Sequence, residues 1–121
     1  MVDIKLKYLC ERENGHCFSK VFKLYQIENG EAKEWMIVNN VYINDKTVHR
    51  LRFTEQKDKN REDIYEGHIM KNPKNNVVVY ISFKDGIFGF TRDTDNAFTF
   101  MDESNRWEII GDIYENSELI K

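Results

Sequence analysis

The chain has 121 residues and a mass of 14.5 kDa, which suits one compact domain and excludes a large multidomain enzyme. Its 40% hydrophobic residues, 32% charged residues and net charge of −3 are typical of a soluble globular protein and exclude a disordered one. There is no apolar run of about 18 residues and no pattern of a secretion signal at the start, so we expect a cytoplasmic protein that does not enter a membrane.

Charge is distributed unevenly along the chain. Residues 1–60 carry 11 Lys and Arg against 9 Asp and Glu, whereas residues 61–121 carry 7 against 12. The basic excess is concentrated in residues 46–61 and the acidic excess in residues 93–118. Opposite charge on the two halves favours head-to-tail self-association or pairing between the halves. An unevenly charged, solvated surface explains the same distribution and is the simpler interpretation, which we favour.

Short alternating runs between turn residues predict a mainly β protein. In the first half we expect strands at residues 4–8, 17–27, 34–38, 41–43 and 48–53. Asn29-Gly30 has the composition of a type I′ turn, whose two central residues both need a positive φ. It therefore predicts a hairpin between the second and third of these strands.

The second half begins with a polar segment and continues as a run of strands. Residues 54–66 predict a loop that ends in one helical turn, and strands are expected at 68–71, 77–83, 87–90, 97–100 and 107–110. The strand at 77–83 begins with an apolar run, which indicates a central position. Gly89 within a strand predicts a bulge of the kind that closes a small barrel. Residues 116–119 predict a short helical turn.

Two segments resemble the YopX family of phage and prophage proteins. Residues 53–70, F-T-E-Q-K-D-K-N-R-E-D-I-Y-E-G-H-I-M, are similar to the family pattern Y/F-T-G-L-K-D-K-N-G-K-E-I-Y-E-G-D-I-V. Residues 107–120, W-E-I-I-G-D-I-Y-E-N-S-E-L-I, are similar to E-V-I-G-N-I-Y-E-N-P-E-L-L. The start of the chain and residues 79–90 fit the same family in order and spacing. The resemblance covers nearly the whole chain and is weakest between residues 18 and 48.

This resemblance implies an origin and a fold. It implies a single YopX-like domain over residues 1–121, with an N-terminal β region at 1–53 and a small SH3-type β-barrel at 54–121. The family has no established activity, so it supplies no catalytic residues. Arg61 occupies the position of a pattern glycine, and we expect the left-handed turn position to move to Asn60 or the loop to change shape. His68 replaces the aspartate of the E-G-D pattern.

The residues themselves indicate no catalytic, cofactor-binding or metal site. No nucleophile motif and no phosphate-binding glycine loop are present, so we expect a protein that is not an enzyme and needs no cofactor. Cys10, His16 and Cys17 are a weak zinc alternative, because six residues separate the cysteines. Residues 93–96 have alternating oxygen ligands but lack the glycine of a calcium loop, which favours a polar turn.

A binding role is the function that we predict. A protein partner or self-association would use aromatic anchors, of which Trp35 is expected to be partly exposed and Trp107 to fill the core. The alternative is nucleic-acid binding through the basic stretch 46–61, against which the sequence pI of 5.6 argues. The predicted binding surface consists of Arg50, Arg52, Lys57, Lys59, Arg61 and Trp35.

Overall fold

The fold is taken from a computed structural model that describes residues 4–12, 16–39, 45–101 and 104–120, with only the backbone at 45–47. The chain divides into two compact units, residues 1–53 and residues 54–121. Both units are built mainly from antiparallel strands, as predicted. Within the described ranges, no helix has the length and apolar character needed to cross a membrane.

The first unit combines three strands with two short helices. Its elements are β1 (Lys5–Arg12), β2 (Cys17–Lys23), α1 (Leu24–Glu28), α2 (Glu31–Val38) and the first part of β3 (Asp45–Lys57). Strand β1 lies between β2 and β3, with Tyr8 opposite both Lys20 and Arg50. The predicted strand at 41–43 lies outside the described residues.

The segment 24–38 corrects the prediction of a strand and hairpin. Lys23 donates its backbone N–H to Gln26 Oε1 at 2.9 Å, which ends β2 and starts α1. Gly30 has the expected positive φ of 89°, but Asn29 has φ −88°, so the dipeptide is not a type I′ turn and instead precedes α2. Ala32 and Met36 are four residues apart, and both are buried on one face of α2.

The core of the first unit forms where this helix face meets the sheet. Buried Tyr8, Cys10 and Phe22 pack with Ala32 and Met36. The Tyr8 and Phe22 rings meet edge to face with centroids 5.4 Å apart. Helix α2 therefore covers one face of this sheet with its buried side chains.

The second unit has a five-stranded antiparallel sheet. The elements of this unit are the end of β3, β4 (Asp63–Tyr65), β5 (His68–Lys71), β6 (Val78–Lys84), β7 (Ile87–Thr91), β8 (Phe98–Phe100), a 3₁₀ helix (Ser104–Arg106), β9 (Glu108–Asp112) and a 3₁₀ turn (Ser117–Ile120). The sheet order is β8-β7-β6-β5-β9, which confirms the central position of β6. The expected loop at 54–66 is shorter than predicted, because β3 continues to Lys57. The helical turn predicted at its end is wrong, since this segment is the strand β4, which pairs with β3.

The turn and bulge positions of this sheet differ partly from those expected. Asp85 and Gly86 join β6 to β7 and have φ of 51° and 83°. This Asp-Gly pair therefore has the two positive φ values that a type I′ turn requires. Gly89 lies in unbroken register opposite Ser82 and makes no bulge. A Cβ at Gly89 would overlap the Phe98 ring, so glycine is needed for the close approach of β8. The register shift occurs instead between β5 and β9, at Ile69 and Met70.

Apolar side chains from β4, β5, β6 and β7, together with Met101, form the second core. Its fully buried members are Ile64, Met70, Val79, Ile81, Phe90 and Met101. Trp107 packs against this cluster but stays half-buried, as do Tyr80 and Phe83. The prediction that Trp107 fills the core is therefore wrong in part.

The loop between β3 and β4 keeps its left-handed position at the residue where the family pattern has glycine. Arg61 itself adopts φ 64°, whereas Asn60 has a negative φ. The expectation that the left-handed position moves to Asn60 is wrong. An arginine Cβ is disfavoured in this region by about 1 kcal/mol, so the surrounding hydrogen bonds must hold it there.

We predict that Arg61→Gly raises the free energy of unfolding by about 0.5–1 kcal/mol, because glycine adopts this φ without a Cβ clash. The measurement is urea denaturation of the full chain. Asn60→Gly is the control, since its φ is already negative and the extra chain entropy should lower stability. Equal effects from the two glycine substitutions would contradict the conformational explanation.

Candidate binding surface

The loop between β3 and β4 is organised around the buried carboxylate of Asp58. Its Oδ1 accepts the backbone N–H groups of Asn60 at 2.8 Å and Glu62 at 2.9 Å. The Asp58 N–H donates to the Glu62 carbonyl, and the Arg61 N–H donates to the Asp58 carbonyl, both at 3.0 Å. These hydrogen bonds close a tight turn around the short Asp58 side chain. They explain how Arg61 is held in the left-handed backbone conformation.

The same loop is fastened to the segment that precedes β9. Asp58 Oδ2 accepts the Ile109 N–H at 3.1 Å. The Lys59 N–H donates to the Trp107 carbonyl at 2.9 Å, and Ser104 Oγ donates to the Lys57 carbonyl at 3.3 Å. The backbone of Lys59 is therefore held beside Trp107, with the lysine side chain left exposed.

The second segment with family resemblance repeats this design. Asp112 Oδ1 accepts the N–H groups of Tyr114 at 2.9 Å and Glu115 at 2.8 Å. Asn116 Oδ1 accepts the Asp112 N–H at 3.2 Å. A Cβ at Gly111 would lie 2.6 Å from that same oxygen, so the glycine makes room for the turn. The segment thus has a structural explanation that requires no catalytic role.

Gly67 and His68 connect the two segments. Gly67 has φ 88°, and its carbonyl accepts the Ile113 N–H at 2.9 Å. His68 is buried, and its Nδ1 accepts the Tyr65 N–H at 3.0 Å, which closes the turn before β5. An aspartate oxygen occupies the same place along a side chain as Nδ1, so histidine supplies the acceptor that the family pattern provides with aspartate.

A third loop, between β5 and β6, comes to the same region. The Asn72 N–H donates to the Val77 carbonyl at 2.9 Å, and Asn72 Oδ1 accepts the Lys74 N–H at 3.0 Å. Asn76 is left-handed with φ 60°. This turn presents Pro73 and Lys74 to solvent on a backbone fixed by its own hydrogen bonds.

Trp107 is shared by two clefts of the second unit. Its ring centroid is 4.7 Å from that of Phe90. It lines both an apolar cleft of about 250 Å³ and a basic cleft of about 380 Å³. Besides Trp107, the apolar cleft is lined by Val77, Val79, Phe90, Arg92, Ala97 and Thr99. The basic cleft is lined by Lys59, Asn72, Pro73, Lys74, Asn105 and Arg106.

The structure brings only one residue of the predicted binding surface to this site. Lys59 lines the basic cleft, Arg61 is exposed nearby in the loop, and Lys57 is paired with Asp63 at 2.6 Å. The sequence analysis missed Lys74 and Arg106. Their signals were weak, because each is a single cation in a separate turn.

The other predicted residues belong to the first unit. Arg50 and Arg52 are exposed on β3, and the Arg50 guanidinium lies 5.3 Å from the centre of the Tyr8 ring. Trp35 is half-buried as expected, with its ring 5.6 Å from that of Phe22. It also lines a cleft of about 270 Å³.

The two cysteines considered for a zinc site lie in paired strands. Cys10 is fully buried in the first core and pairs with Phe18 across the sheet, whereas Cys17 is half-buried opposite Glu11. Among the described residues, no three His, Cys, Asp or Glu side chains are grouped to hold a metal ion.

The segment weighed as a calcium loop is the polar turn that was favoured, with Asn96 left-handed. The pKa of Asp95 is lowered by the hydrogen bond from the Ala97 N–H and then by Arg92, whose Nη2 donates to Oδ2 at 2.7 Å. The Asp95 carboxylate therefore stabilises the turn by accepting these two hydrogen bonds.

Comparison with known proteins agrees with the resemblance of the two segments. The model of the family described as YopX protein matches residues 4–121. No curated protein matches the chain. Because the family model covers essentially the whole sequence, the chain belongs to the YopX family.

Removal of the Asp58 carboxylate should strongly destabilise the second unit. We predict that Asp58→Ala lowers the free energy of unfolding by about 2–4 kcal/mol, because three backbone N–H groups lose a buried acceptor. The stability of Asp58→Asn should lie between that of the unchanged chain and that of Asp58→Ala, since the asparagine amide has only one oxygen that can accept these N–H groups. Chemical denaturation is the measurement. Asp63→Ala is the control, and its exposed pair with Lys57 should cost less than about 1 kcal/mol. Similar losses from both alanine variants would contradict this role.

The role of His68 as an acceptor is tested by two substitutions. We expect His68→Leu to be less stable than His68→Asn by about 1–2 kcal/mol, although leucine is the more apolar side chain. The amide oxygen of asparagine can accept the Tyr65 N–H, whereas leucine leaves that donor unsatisfied. Thermal unfolding of both variants provides the comparison. A leucine variant as stable as the asparagine variant would show that the bond is unimportant.

Proposed function

We propose that the chain is a non-enzymatic protein-interaction or assembly module encoded by a phage or prophage, and that it acts in the cytoplasm of the bacterial host. Membership of the YopX family supports this origin. The observation that carries the binding role is Trp107, a half-buried ring that lines both an apolar cleft and a basic cleft. Half-buried aromatic residues beside such clefts are typical anchors of protein interfaces.

The structural roles of the polar groups in the two family segments support a function without catalysis. The carboxylates of Asp58 and Asp112 and the imidazole of His68 all accept backbone N–H groups. Acceptors used in this way position loops, and each has an explanation in folding. A catalytic role for them would have to interrupt those bonds.

We also propose that the sheet of the second unit is of the SH3 type. Its short strands, the bulge between β5 and β9 and the tight β6–β7 turn support this assignment. SH3-type barrels bind peptides between loops at one end of the sheet, and here three loops converge at Trp107.

Self-association is a second form of the same proposal. Residues 1–53 carry 9 Lys and Arg against 7 Asp and Glu, and residues 54–121 carry 9 against 14. The units of different copies therefore attract each other electrostatically. Light scattering at low and high salt tests this form, and a monomer under both conditions would contradict it.

Nucleic-acid binding through residues 46–61 has less support. The predicted cations are divided between the two units, Lys57 is paired with Asp63, and Arg50 lies over Tyr8. A mobility shift at low salt, with Arg50→Ala and Arg52→Ala as variants, would detect it.

Capture experiments test the interaction module. We expect the tagged full chain to retain a specific protein from a nuclease-treated host lysate, and Thr99→Tyr to abolish this retention. Thr99 is exposed on β8 and lines the apolar cleft, so a larger side chain fills the cleft without removing core contacts. Thr94→Tyr is the matched control, because Thr94 is exposed in the adjacent turn. Retention that requires nucleic acid, or that both variants leave unchanged, would overturn the proposal.

A further inference from the structure

The basic cleft collects three cations from three separate loops. Lys59 comes from the β3–β4 loop, Lys74 from the β5–β6 turn and Arg106 from the 3₁₀ helix before β9. All three side chains are exposed, and no Asp or Glu of the described chain lines the cleft. The remaining lining consists of neutral side chains, so the only charged groups among the lining residues are cations.

Neither Lys59 nor Lys74 is engaged in an ion pair within the described part of the chain. Other cations of the same unit are engaged, since Lys57 pairs with Asp63 at 2.6 Å and Arg92 with Asp95 at 2.7 Å. The two lysines therefore need no internal bond to be broken before they bind an anion. Their backbones are already fixed through Trp107 and Asn72, so little loop ordering opposes binding.

The apolar cleft is lined by the same tryptophan. Aliphatic side chains of Val77, Val79 and Ala97 and the Phe90 ring give it a surface for one aliphatic or aromatic side chain. A ligand that contacts Trp107 in both clefts would place a negative group in the basic cleft and an apolar group in the apolar cleft. The two clefts together thus define the chemistry of the ligand.

We propose that this site, Lys59, Lys74 and Arg106 beside Trp107, binds an acidic peptide segment of a protein partner. Carboxylates of the segment contact the three cations, and a neighbouring aliphatic or aromatic side chain enters the apolar cleft. This inference rests on the proposed protein-binding function and specifies its partner. The cations of the cleft are complementary to such a segment.

A peptide fits these observations better than a nucleic acid. The second unit carries 9 Lys and Arg against 14 Asp and Glu, so a long polyanion is repelled outside the cleft. Single-stranded nucleic acid is usually bound by several stacking rings, whereas the Trp107 ring is packed near Phe90 and no further aromatic ring of the described residues lines either cleft. A short acidic segment needs only the three cations and one apolar cavity.

The test uses fluorescence anisotropy with the full chain. The probe is a labelled peptide of glutamates around a central phenylalanine, and a labelled oligothymidylate of equal charge is the competing probe. We expect the peptide to bind with a Kd on the order of 10–100 μM at low salt, weakening as salt is raised. The double variant Lys59→Ala with Lys74→Ala should weaken binding about tenfold or more.

A second double variant, Lys33→Ala with Lys84→Ala, removes the same charge from exposed positions outside the cleft lining and should change binding by less than about twofold. Absence of peptide binding, equal losses in both double variants, or tighter binding of oligothymidylate would each overturn the inference. If the peptide fails while capture of a protein still depends on Thr99, the interaction function stands and only the acidic partner is excluded.

Discussion

The buried carboxylate of Asp58 is the constraint on which the second unit depends. It accepts N–H groups within its own loop and also the N–H of Ile109, which lies 51 residues further along the chain. One short side chain therefore fixes the shape of a loop and its attachment to β9. The loop holds Lys59 against Trp107 through the backbone, so the position of the candidate site is a consequence of this interaction. A buried charge is tolerated there because all its bonds are made to N–H donors.

The two segments that identify the family are explained by turn chemistry. Asp112 and Asn116 repeat in the second segment what Asp58 does in the first, and Gly67 accepts the Ile113 N–H where the segments meet. Glycine is required at Gly67 by its φ of 88°, and a Cβ there would lie 3.1 Å from the Tyr114 ring. The segments therefore preserve a packed junction. Function has to be sought on the surfaces that this junction supports.

The sequence predicted the fold well where alternation and turn composition agree. Strand β5 was predicted at its exact bounds, and the strands from β6 to β9 were predicted within a few residues, because buried and exposed positions alternate between strong turn signals. Residues 24–38 were mispredicted because the helices are short and their buried residues are few. Strand β4 was not predicted, because it is only three residues long and follows a polar segment. Its strand conformation depends on pairing with β3, which the local sequence does not indicate.

The candidate site was predictable only in part, for a related reason. Lys59 belongs to a visible basic stretch, but Lys74 and Arg106 are single cations far apart in sequence. The hydrogen bonds of Asp58 and Ser104 join the β3–β4 loop to the segment around Trp107, and Asn72 shapes the β5–β6 turn that lines the same cleft. Net charge gave no indication of this cleft, because a unit with an acidic excess can still hold a group of cations when its carboxylates lie elsewhere or are used to close turns. Loop geometry, which sets the local charge, is therefore what the sequence alone could not supply.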